Sequence, residues 1–362
     1  MTPPRIWRGV WAGGLVAVAT VVAGVLATNS VDLPLRDPDH VAALYLFLVG
    51  FGVVLLVGVD VALRARARSG GRRPTRAAMA AVRRERWTPA RCLAAGAALV
   101  GFYASYMAYR NLKAIVPLVR PGDNYDAQLA DLDRNLFAGH DPAALLHTLL
   151  GSDVVTHVLS AFYVAWIVVL PLTIGVALVF ATDLRPALFY VTAQSINWGL
   201  GNISYFLLPS LGPIYFDPGA FSNLSNSEVT RLQGVLLEQR VDFLADPAVA
   251  TPQSIAAFAS LHISMSFTAA LAAQLLGLGR RLRIALWVWV AITTIGTVYL
   301  GWHYFVDDIA GVAMGALALV LARALTGLDL RAERARRQRD APAGQPAWDP
   351  GAQPAGAHAQ SN

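Results

Sequence analysis

The sequence predicts an all-α fold, a bundle of helices that cross a membrane several times. Hydrophobic residues make up 56% of the 362 residues and charged residues 14%, against roughly 25% charged residues in soluble domains. The mean hydropathy is +0.48, and apolar runs of about 18 residues or more recur along the chain. Runs of this length can cross a bilayer as helices, so we expect lipid to cover most of the surface.

We predict about eight transmembrane helices, because eight apolar runs are long enough to span the hydrocarbon core. The first run begins near Trp7 and lacks a small-residue cleavage site, so we interpret it as a retained anchor and not as a signal peptide. The approximate limits of the runs are 7–28, 41–63, 92–112, 155–181, 186–208, 257–278, 282–301 and 304–326.

Arginine clusters predict the orientation of these helices. Segments 64–86, 279–283 and 331–339 are rich in arginine, and an even number of spans places all three on the side of both termini. The positive-inside rule makes this side of the cell membrane cytoplasmic. The net charge of +6 follows the same pattern, so we expect no nucleic acid partner. Scarce lysine beside abundant alanine and arginine is typical of a GC-rich bacterial genome.

The chain divides into three parts by composition. Residues 1–91 hold two N-terminal transmembrane helices and a basic cytoplasmic loop, and residues 92–328 hold a six-helix core. Residues 329–362 form a cytoplasmic tail that is expected to be disordered, since it is rich in Pro, Ala, Gly and Gln from Asp340 onward. The single cysteine, Cys92, can form no intrachain disulfide and no cysteine-based zinc site.

The remaining connections face outward, and two of them, 113–154 and 209–256, are long. In the first, the leucines from Leu129 to Leu136 recur at helical spacing together with Phe137. This spacing predicts an amphipathic helix that lies on the outer membrane surface.

Polar residues collect at three points of the predicted outer face, where they are costly in a membrane. At the turn into the last span, His303, Asp307 and Gly311 follow one another at intervals of four residues. The first two share a helix face, so the carboxylate can fix the tautomer of the imidazole and raise its basicity. We expect Gly311 to let a neighbouring helix approach closely, and we interpret Asp308 as a hydrated neighbour. An interfacial histidine among aromatic residues is the alternative.

The other two points carry a serine–histidine pair and two cations. Ser260 and His262 open the sixth span, where free N–H groups favour an anion and the histidine can give a proton to a leaving oxygen. A helix cap with a satisfied histidine is the competing interpretation. Lys113, the only lysine, and Arg120 supply positive charge on the side where basic residues are disfavoured. Snorkelling to lipid headgroups is the alternative for both.

The three points lie far apart in sequence but on one predicted membrane face. Together they combine a cradle for an anion, a nucleophile with an orienting acid, and a proton donor. Those parts suffice for phosphoryl transfer through a covalent phosphohistidine.

The constellation resembles the type 2 phosphatidic acid phosphatase superfamily of membrane lipid phosphatases and phosphotransferases. Its first motif is a lysine, six residues and Arg-Pro, and KAIVPLVRP fits it from Lys113 to Pro121. Its second, usually Pro-Ser-Gly-His, reads Ala-Ser-Leu-His here and keeps Ser260 and His262. Its third is a histidine, three residues, an aspartate, three residues and a glycine, which fits HYFVDDIAG from His303 onward. The resemblance covers roughly residues 100–325.

The resemblance implies a role for each of these residues. His303 is the nucleophile, Asp307 its orienting partner and His262 the general acid. The phosphate is held by Lys113, Arg120 and Ser260. The resemblance implies no metal and no other cofactor.

Two departures resemble one branch of the superfamily. The arginine that phosphatases usually carry six residues before the nucleophile is Thr297 here, and the glycine of the second motif is Leu261. Both are similar to the branch that includes the fungal inositol phosphorylceramide synthases. The stretch LLPSLGPIYFDP, with Pro213 and Tyr215, is also similar to that branch. Loss of one arginine implies a weaker phosphate cradle.

Three functions stay open. Our first hypothesis is a phosphatase, in which water attacks the phosphohistidine formed from a lipid phosphate monoester or pyrophosphate. The second is a phosphotransferase that moves a phospho-headgroup, such as inositol phosphate, to an alcohol, and the third is a non-catalytic transporter or scaffold. The expected partners are the lipid phosphate and membrane lipids, and the sequence does not indicate an oligomeric state.

An acceptor alcohol would need polar residues inside the bundle. Asn197, Asn202 and Tyr215 are the candidates for binding a substrate there. For the two asparagines and for Gln194 in the same span, we favour the simpler interpretation that they hydrogen-bond between helices.

Overall fold

The structure of the protein, a computed structural model, describes residues 3–37, 39–71 and 73–340. Within these ranges the chain forms fourteen α-helices, one short 3₁₀ helix at 218–221, and no strand, which confirms the predicted all-α fold. The helices are α1 (Pro3–Asn29), α2 (Val41–Arg68), α3 (Arg76–Arg86), α4 (Pro89–Val119), α5 (Asp126–Leu136), α6 (Pro142–Leu150), α7 (Val154–Phe180), α8 (Leu184–Leu207), α9 (Pro213–Phe216), α10 (Glu228–Ala245), α11 (Leu261–Leu275), α12 (Arg280–Tyr299), α13 (Phe305–Thr326) and α14 (Leu330–Asp340).

The helices form the bundle of a multi-pass membrane protein. Among the described residues, six helices are long and apolar enough to cross a membrane: α1 from Ile6 onward, α2, α4, α7, α12 and α13. The fifth and sixth predicted spans coincide with α8 and α11, which do not meet that criterion. Helix α8 packs against α1, α4, α11 and α13, so protein covers most of its surface and it needs no lipid-facing apolar stripe. Helix α11 is short, with 15 residues, because it begins only at Leu261.

Polar side chains tie α8 to α11 in the middle of the bundle. The amide of Asn197 donates to Gln194 at 3.2 Å and to Thr268 at 3.0 Å, and it accepts from the Ser264 hydroxyl at 2.7 Å. Gln194 donates in turn to the Met265 carbonyl. Both amide donors and the amide oxygen of Asn197 are thus occupied, one donor within α8 and the other two bonds with α11, which favours the interhelical interpretation over a substrate-binding role.

Arginine side chains close one end of the bundle. Arg91 donates to the carbonyls of Leu178 at 3.2 Å and Ala181 at 2.6 Å, at the end of α7. Arg8 donates to the carbonyl of Leu325, at the end of α13. The last carbonyls of a helix carry partial negative charge, so cations stabilise them. The predicted clustering of arginine at one end is therefore reproduced by contacts between distant helices.

The opposite end carries the short helices α5, α6 and α10. The helix predicted from the leucine spacing is α5. Leu129 is buried and packs beside Tyr304, whereas Leu132 and Leu136 are exposed. The ring of Phe137 lies against Phe305. One face of α5 is therefore attached to the start of α13, and its other leucines face away from the protein.

Helix α14 lies in the segment that was expected to be a disordered tail. Asp329 caps this helix by accepting from two backbone N–H groups of its first turn, both at 3.0 Å. Glu333 is buried and binds Arg337 at 2.9 Å. A cap and ion pairs along one face stabilise a helix even in a very polar segment. The prediction of disorder is therefore wrong for 330–340, and residues 341–362 lie outside the described part of the chain.

Helices α11 and α13 pack at very short distance near the end that carries α5. A Cβ on Gly311 would lie 2.5 Å from the carbonyl oxygen of Ser260, and one on Gly315 would lie 2.6 Å from that of Ser264. The backbone N–H of Ser260 also donates to the Asp307 carbonyl at 3.0 Å. The predicted role of Gly311 in a close helix contact is therefore confirmed.

We expect Gly311→Ala to lower the free energy of unfolding by about 1–3 kcal/mol, because the added methyl group must push α11 away from α13. Thermal unfolding of the purified protein in detergent measures the loss. Gly96→Ala in α4 is the matched control, since nothing lies within 4 Å of the Cβ it would add. Equal melting temperatures for both variants and the wild type would contradict the close contact.

Candidate active site

The bundle end that carries α5 brings together residues from all three predicted polar points. The rings of His262 and His303 lie 5.8 Å apart, measured between their centroids. Ser260 is fully buried and bonded through its backbone to Asp307. Lys113, at the same end of α4, acts on His303 through its charge. Five of the six proposed catalytic and phosphate-binding residues therefore lie at one end of the bundle, and their roles stay predictions.

Arg120 is the sixth, and the structure does not bring it to the histidines. Its guanidinium donates to the side chain of Asp123 and to the backbone carbonyl of Phe206, with a third of the side chain exposed. The N-terminal turn of α5 follows soon after, so Arg120 lies at the rim, beside a carboxylate that neutralises it. Its expected contact with the phosphate stays a prediction.

The third motif forms a tight turn that presents His303. The chain leaves α12 with the backbone N–H of His303 donating to the Thr297 carbonyl, and α13 begins two residues later. Asp307, in the first turn of α13, accepts from the backbone N–H of Tyr304 at 3.0 Å. Its Oδ2 lies 3.5 Å from His303 Nδ1. This separation exceeds a hydrogen bond by a few tenths of an ångström, and catalytic contacts often tighten only with substrate.

The position of His303 keeps its imidazole neutral. Burial lowers the pKa of His303 to about 4; the negative charge of Asp308 and a hydrogen bond to the Ala257 backbone oppose this shift, and the positive charge of Lys113 adds to it. At pH 7 the ring therefore holds a free lone pair on one nitrogen, as a nucleophile requires.

Asp308 does not lie in water, and the expectation that it is a hydrated neighbour is wrong. Its side chain is 3% exposed, and Oδ2 accepts from the Thr297 hydroxyl at 2.9 Å. Its charge also acts on His303, and the Ser260 hydroxyl donates to its carboxylate. The start of α13 is covered by α5 and by the turn before it, so both acidic residues are buried. At position 297 the chain thus binds a carboxylate inside the site instead of supplying a guanidinium.

Aromatic side chains of α7 form the wall beside His262. The rings of Tyr163 and Trp166 lie 4.5 Å and 4.4 Å from the imidazole. Trp302 stacks on Tyr163 with centroids 5.1 Å apart. Sequence reasoning missed these residues, because aromatic residues near the end of a span look the same whether they meet headgroups or line a site.

Two aspartates of α5 hold the backbone around His303, and sequence reasoning missed them as well. Asp133 accepts from the backbone N–H groups of Phe305 at 2.7 Å and Val306 at 2.9 Å, so it caps α13. Burial raises the pKa of Asp133, and these two N–H bonds oppose that shift. Asp126, two turns earlier, accepts from the Tyr304 hydroxyl at 3.1 Å. Their seven-residue spacing, on the face of the buried Leu129, was the available signal.

Tyr215 and Asn202 occupy two different surroundings. The Tyr215 hydroxyl donates to the carbonyl of Gln233, and its ring lies 6.2 Å from that of Trp302. Asn202 is 4% exposed, and neither atom of its amide has a hydrogen-bond partner among the described residues. The indole N–H of Trp198, one turn earlier on α8, lacks one too. A buried amide without partners is costly, so these groups suit a ligand with hydroxyl or phosphate oxygens.

The hydrogen-bond donors at this site suit the oxygens of a phosphate. In the part of the chain that the structure describes, no group of three or more His, Cys, Asp or Glu side chains is placed to hold a metal. The N-terminus of α11 and the Lys113 ammonium offer hydrogen-bond donors and positive charge instead.

Comparison with known proteins agrees with this chemistry. A family model described as the PAP2 superfamily matches residues 127–321, which is more than half of the chain. The match includes Ser260, His262, His303 and Asp307, and it begins after Lys113. No curated protein and no solved structure gives a significant match.

We expect a pKa of about 4 for His303, well below that of an ordinary histidine, because burial disfavours the charged imidazolium. The imidazole should therefore stay neutral from neutral pH down to about pH 5. NMR titration of the ¹⁵N-histidine-labelled protein measures this, with the signal of His303 assigned by its loss in His303→Gln. A midpoint near 6.5 would contradict the buried environment.

Proposed function

Since this chain belongs to the PAP2 superfamily, whose members are generally phosphatases or phosphotransferases, we propose that it hydrolyses a lipid phosphate monoester or diphosphate through a phosphohistidine. The observation that carries the proposal is the placement of His303. A buried neutral imidazole lies beside Asp307, opposite His262 and within reach of the charge of Lys113. This is the combination that covalent phosphoryl transfer needs.

In the first step His303 attacks the phosphorus. Nδ1 faces Asp307, so Nε2 is the nitrogen that forms the bond, and the carboxylate stabilises the positive charge that develops on the ring. The negative charge of the bound phosphate stabilises His262 as an imidazolium, which gives its proton to the leaving oxygen of the lipid. Lys113 and the N-terminus of α11 at Ser260 bind the equatorial oxygens, where charge accumulates.

In the second step water attacks the phosphohistidine and releases inorganic phosphate. His262, now neutral, accepts a proton from that water and returns to its starting state. The rings of Tyr163 and Trp166 pack against the imidazole and restrict how it can turn. A fixed imidazole keeps the same nitrogen directed at the incoming and leaving oxygens in both steps.

The positions of the charges support an orientation in the cell membrane. Arginines close the end opposite the histidines, and by the positive-inside rule this supports cytoplasmic termini and a site on the extracytoplasmic face. Residues 92–328 form the catalytic part in this proposal. Helix α1 packs against α4 and α8, so the N-terminal helices belong to the same bundle.

We expect His303→Ala to lower phosphate release at least about a thousandfold, because it removes the atom that bonds to phosphorus. The assay incubates purified protein with labelled lipid phosphates in mixed micelles and counts inorganic phosphate. His140→Ala is the matched control, since His140 is exposed and lies outside the site. Unchanged turnover of every lipid by His303→Ala would contradict the mechanism and favour a transporter or scaffold.

A phosphotransferase is the second candidate, and the unpartnered amide of Asn202 favours it. Together with the indole of Trp198, this amide offers hydrogen bonds that water or a second alcohol would satisfy. Thr297 and Leu261 support the same alternative, through the resemblance to inositol phosphorylceramide synthases.

The acceptor decides between these candidates. For a hydrolase, we expect phosphate release without any added alcohol, and no phosphorylated inositol when inositol is added. A transferase would instead require inositol for turnover. In that case Asn202→Leu should lower transfer about tenfold, because it removes the hydrogen bonds of the amide. Thin-layer chromatography of the labelled products separates the two results.

A further inference from the structure

A group of cations surrounds Lys113. The charges of Arg110 and Arg240 are the ones that act on it. Arg110 is neutralised, since it binds Asp37 at 3.0 Å and Asp39 at 2.8 Å. Among the described residues, no carboxylate forms an ion pair with Lys113 or with Arg240, and none accepts a hydrogen bond from Lys113. In the described part of the chain, these two neighbouring cations therefore have no ion-pair partner.

Arg240 is held in place by a neutral group. It lies on α10, is partly buried, and donates from Nη1 to the hydroxyl of the buried Ser254 at 2.6 Å. Burial lowers the pKa of Arg240, and the charge of Asp126 opposes that shift. Asp126 is not a free partner, because it already accepts from the backbone N–H groups of Leu211 and Gly212 and from a tyrosine hydroxyl.

Partly buried cations without a counter-ion are costly unless an anion joins them. The position of this anion follows from the neighbours of each cation. Lys113 acts on both histidines, whereas the neighbours of Arg240 are Lys113 and Asp126. Packing puts Arg240 beside Lys113: Phe243, one turn further along α10, lies in one buried cluster with Ala114 and Ile115, which follow Lys113 on α4. The charge of Lys113 acts on both histidines and that of Arg240 is not among the charges that do, so the guanidinium lies further from His303 than the ammonium.

We propose that Arg240 binds a second anionic group of the substrate, next to the phosphoryl group that is transferred. The enzyme then prefers a lipid diphosphate to a lipid monophosphate. This inference rests on the proposed phosphoryl transfer at His303. Arg240 also supplies a guanidinium to a site that has Thr297 where phosphatases usually carry an arginine. It does so from α10, which contains none of the three motifs.

The step balances with the groups named. The bond between the terminal phosphorus and the bridging oxygen breaks, and its electron pair leaves with that oxygen on the lipid monophosphate. A bond forms between His303 and the phosphorus. The leaving monophosphate takes up negative charge. Arg240 neutralises this charge by two parallel N–H bonds, and His262 gives its proton to the bridging oxygen. Water then releases inorganic phosphate.

The test compares kcat/KM for a short-chain lipid diphosphate and its matching monophosphate. We expect the wild type to favour the diphosphate about tenfold or more, and Arg240→Gln to lose most of that preference with little change for the monophosphate. Arg240→Lys should keep part of it. Arg231→Gln is the matched control on α10, because Arg231 is exposed and pairs with Glu228. Equal losses for both substrates, or no loss, would overturn the inference.

A binding measurement separates this inference from the proposed function. In the His303→Ala protein, which cannot form the covalent bond, inorganic pyrophosphate should raise the melting temperature more than inorganic phosphate. Adding Arg240→Gln should remove the difference. If the wild type hydrolyses neither lipid but pyrophosphate still stabilises the protein through Arg240, the proposed function fails and the second anion site stands. No difference between the two anions would overturn the site.

Discussion

The contact between α11 and α13 is the constraint on which the site depends. At Gly311 no side chain separates the two helices, so the Ser260 carbonyl reaches within 2.5 Å of where a Cβ would stand. The same contact lets Ser260 bond to the backbone of Asp307 and places the rings of His262 and His303 5.8 Å apart. A separation of about one ångström would move the proton donor away from the leaving oxygen, which is enough to slow catalysis strongly.

A second constraint comes from α5, which lies outside the spanning helices. Asp133 binds two backbone N–H groups of the first turn of α13, and Asp126 binds the Tyr304 hydroxyl. Buried carboxylates are stable only when their oxygens are bonded, so these contacts hold α5 and the His303 turn as one unit. A short helix outside the candidate membrane spans thereby determines the geometry at the start of α13. The α11–α13 contact fixes the separation of His262 and His303, and α5 holds the turn that carries His303.

The sequence predicted the fold for a local reason, since apolar run lengths predict the bundle. Four-residue spacing placed His303, Asp307 and Gly311 on one helix face, but α13 begins only at Phe305, so His303 lies in the turn before that helix. What the sequence missed depends on contacts between distant segments. Asp308 looks like its neighbour in sequence, yet a hydroxyl eleven residues away makes it a buried acceptor. Helix α14 forms in a polar segment because Asp329 and Glu333 bond within it, which a composition argument overlooks.

The central claim is that His303 carries the phosphoryl group. The most direct measurement is to mix the protein with excess labelled lipid phosphate, stop the reaction in alkali, which preserves phosphohistidine, and map the label by mass spectrometry. The account predicts label on the peptide that contains His303, stoichiometric at early times and absent in His303→Ala. Steady release of phosphate with no labelled histidine, or label on another residue, would contradict it.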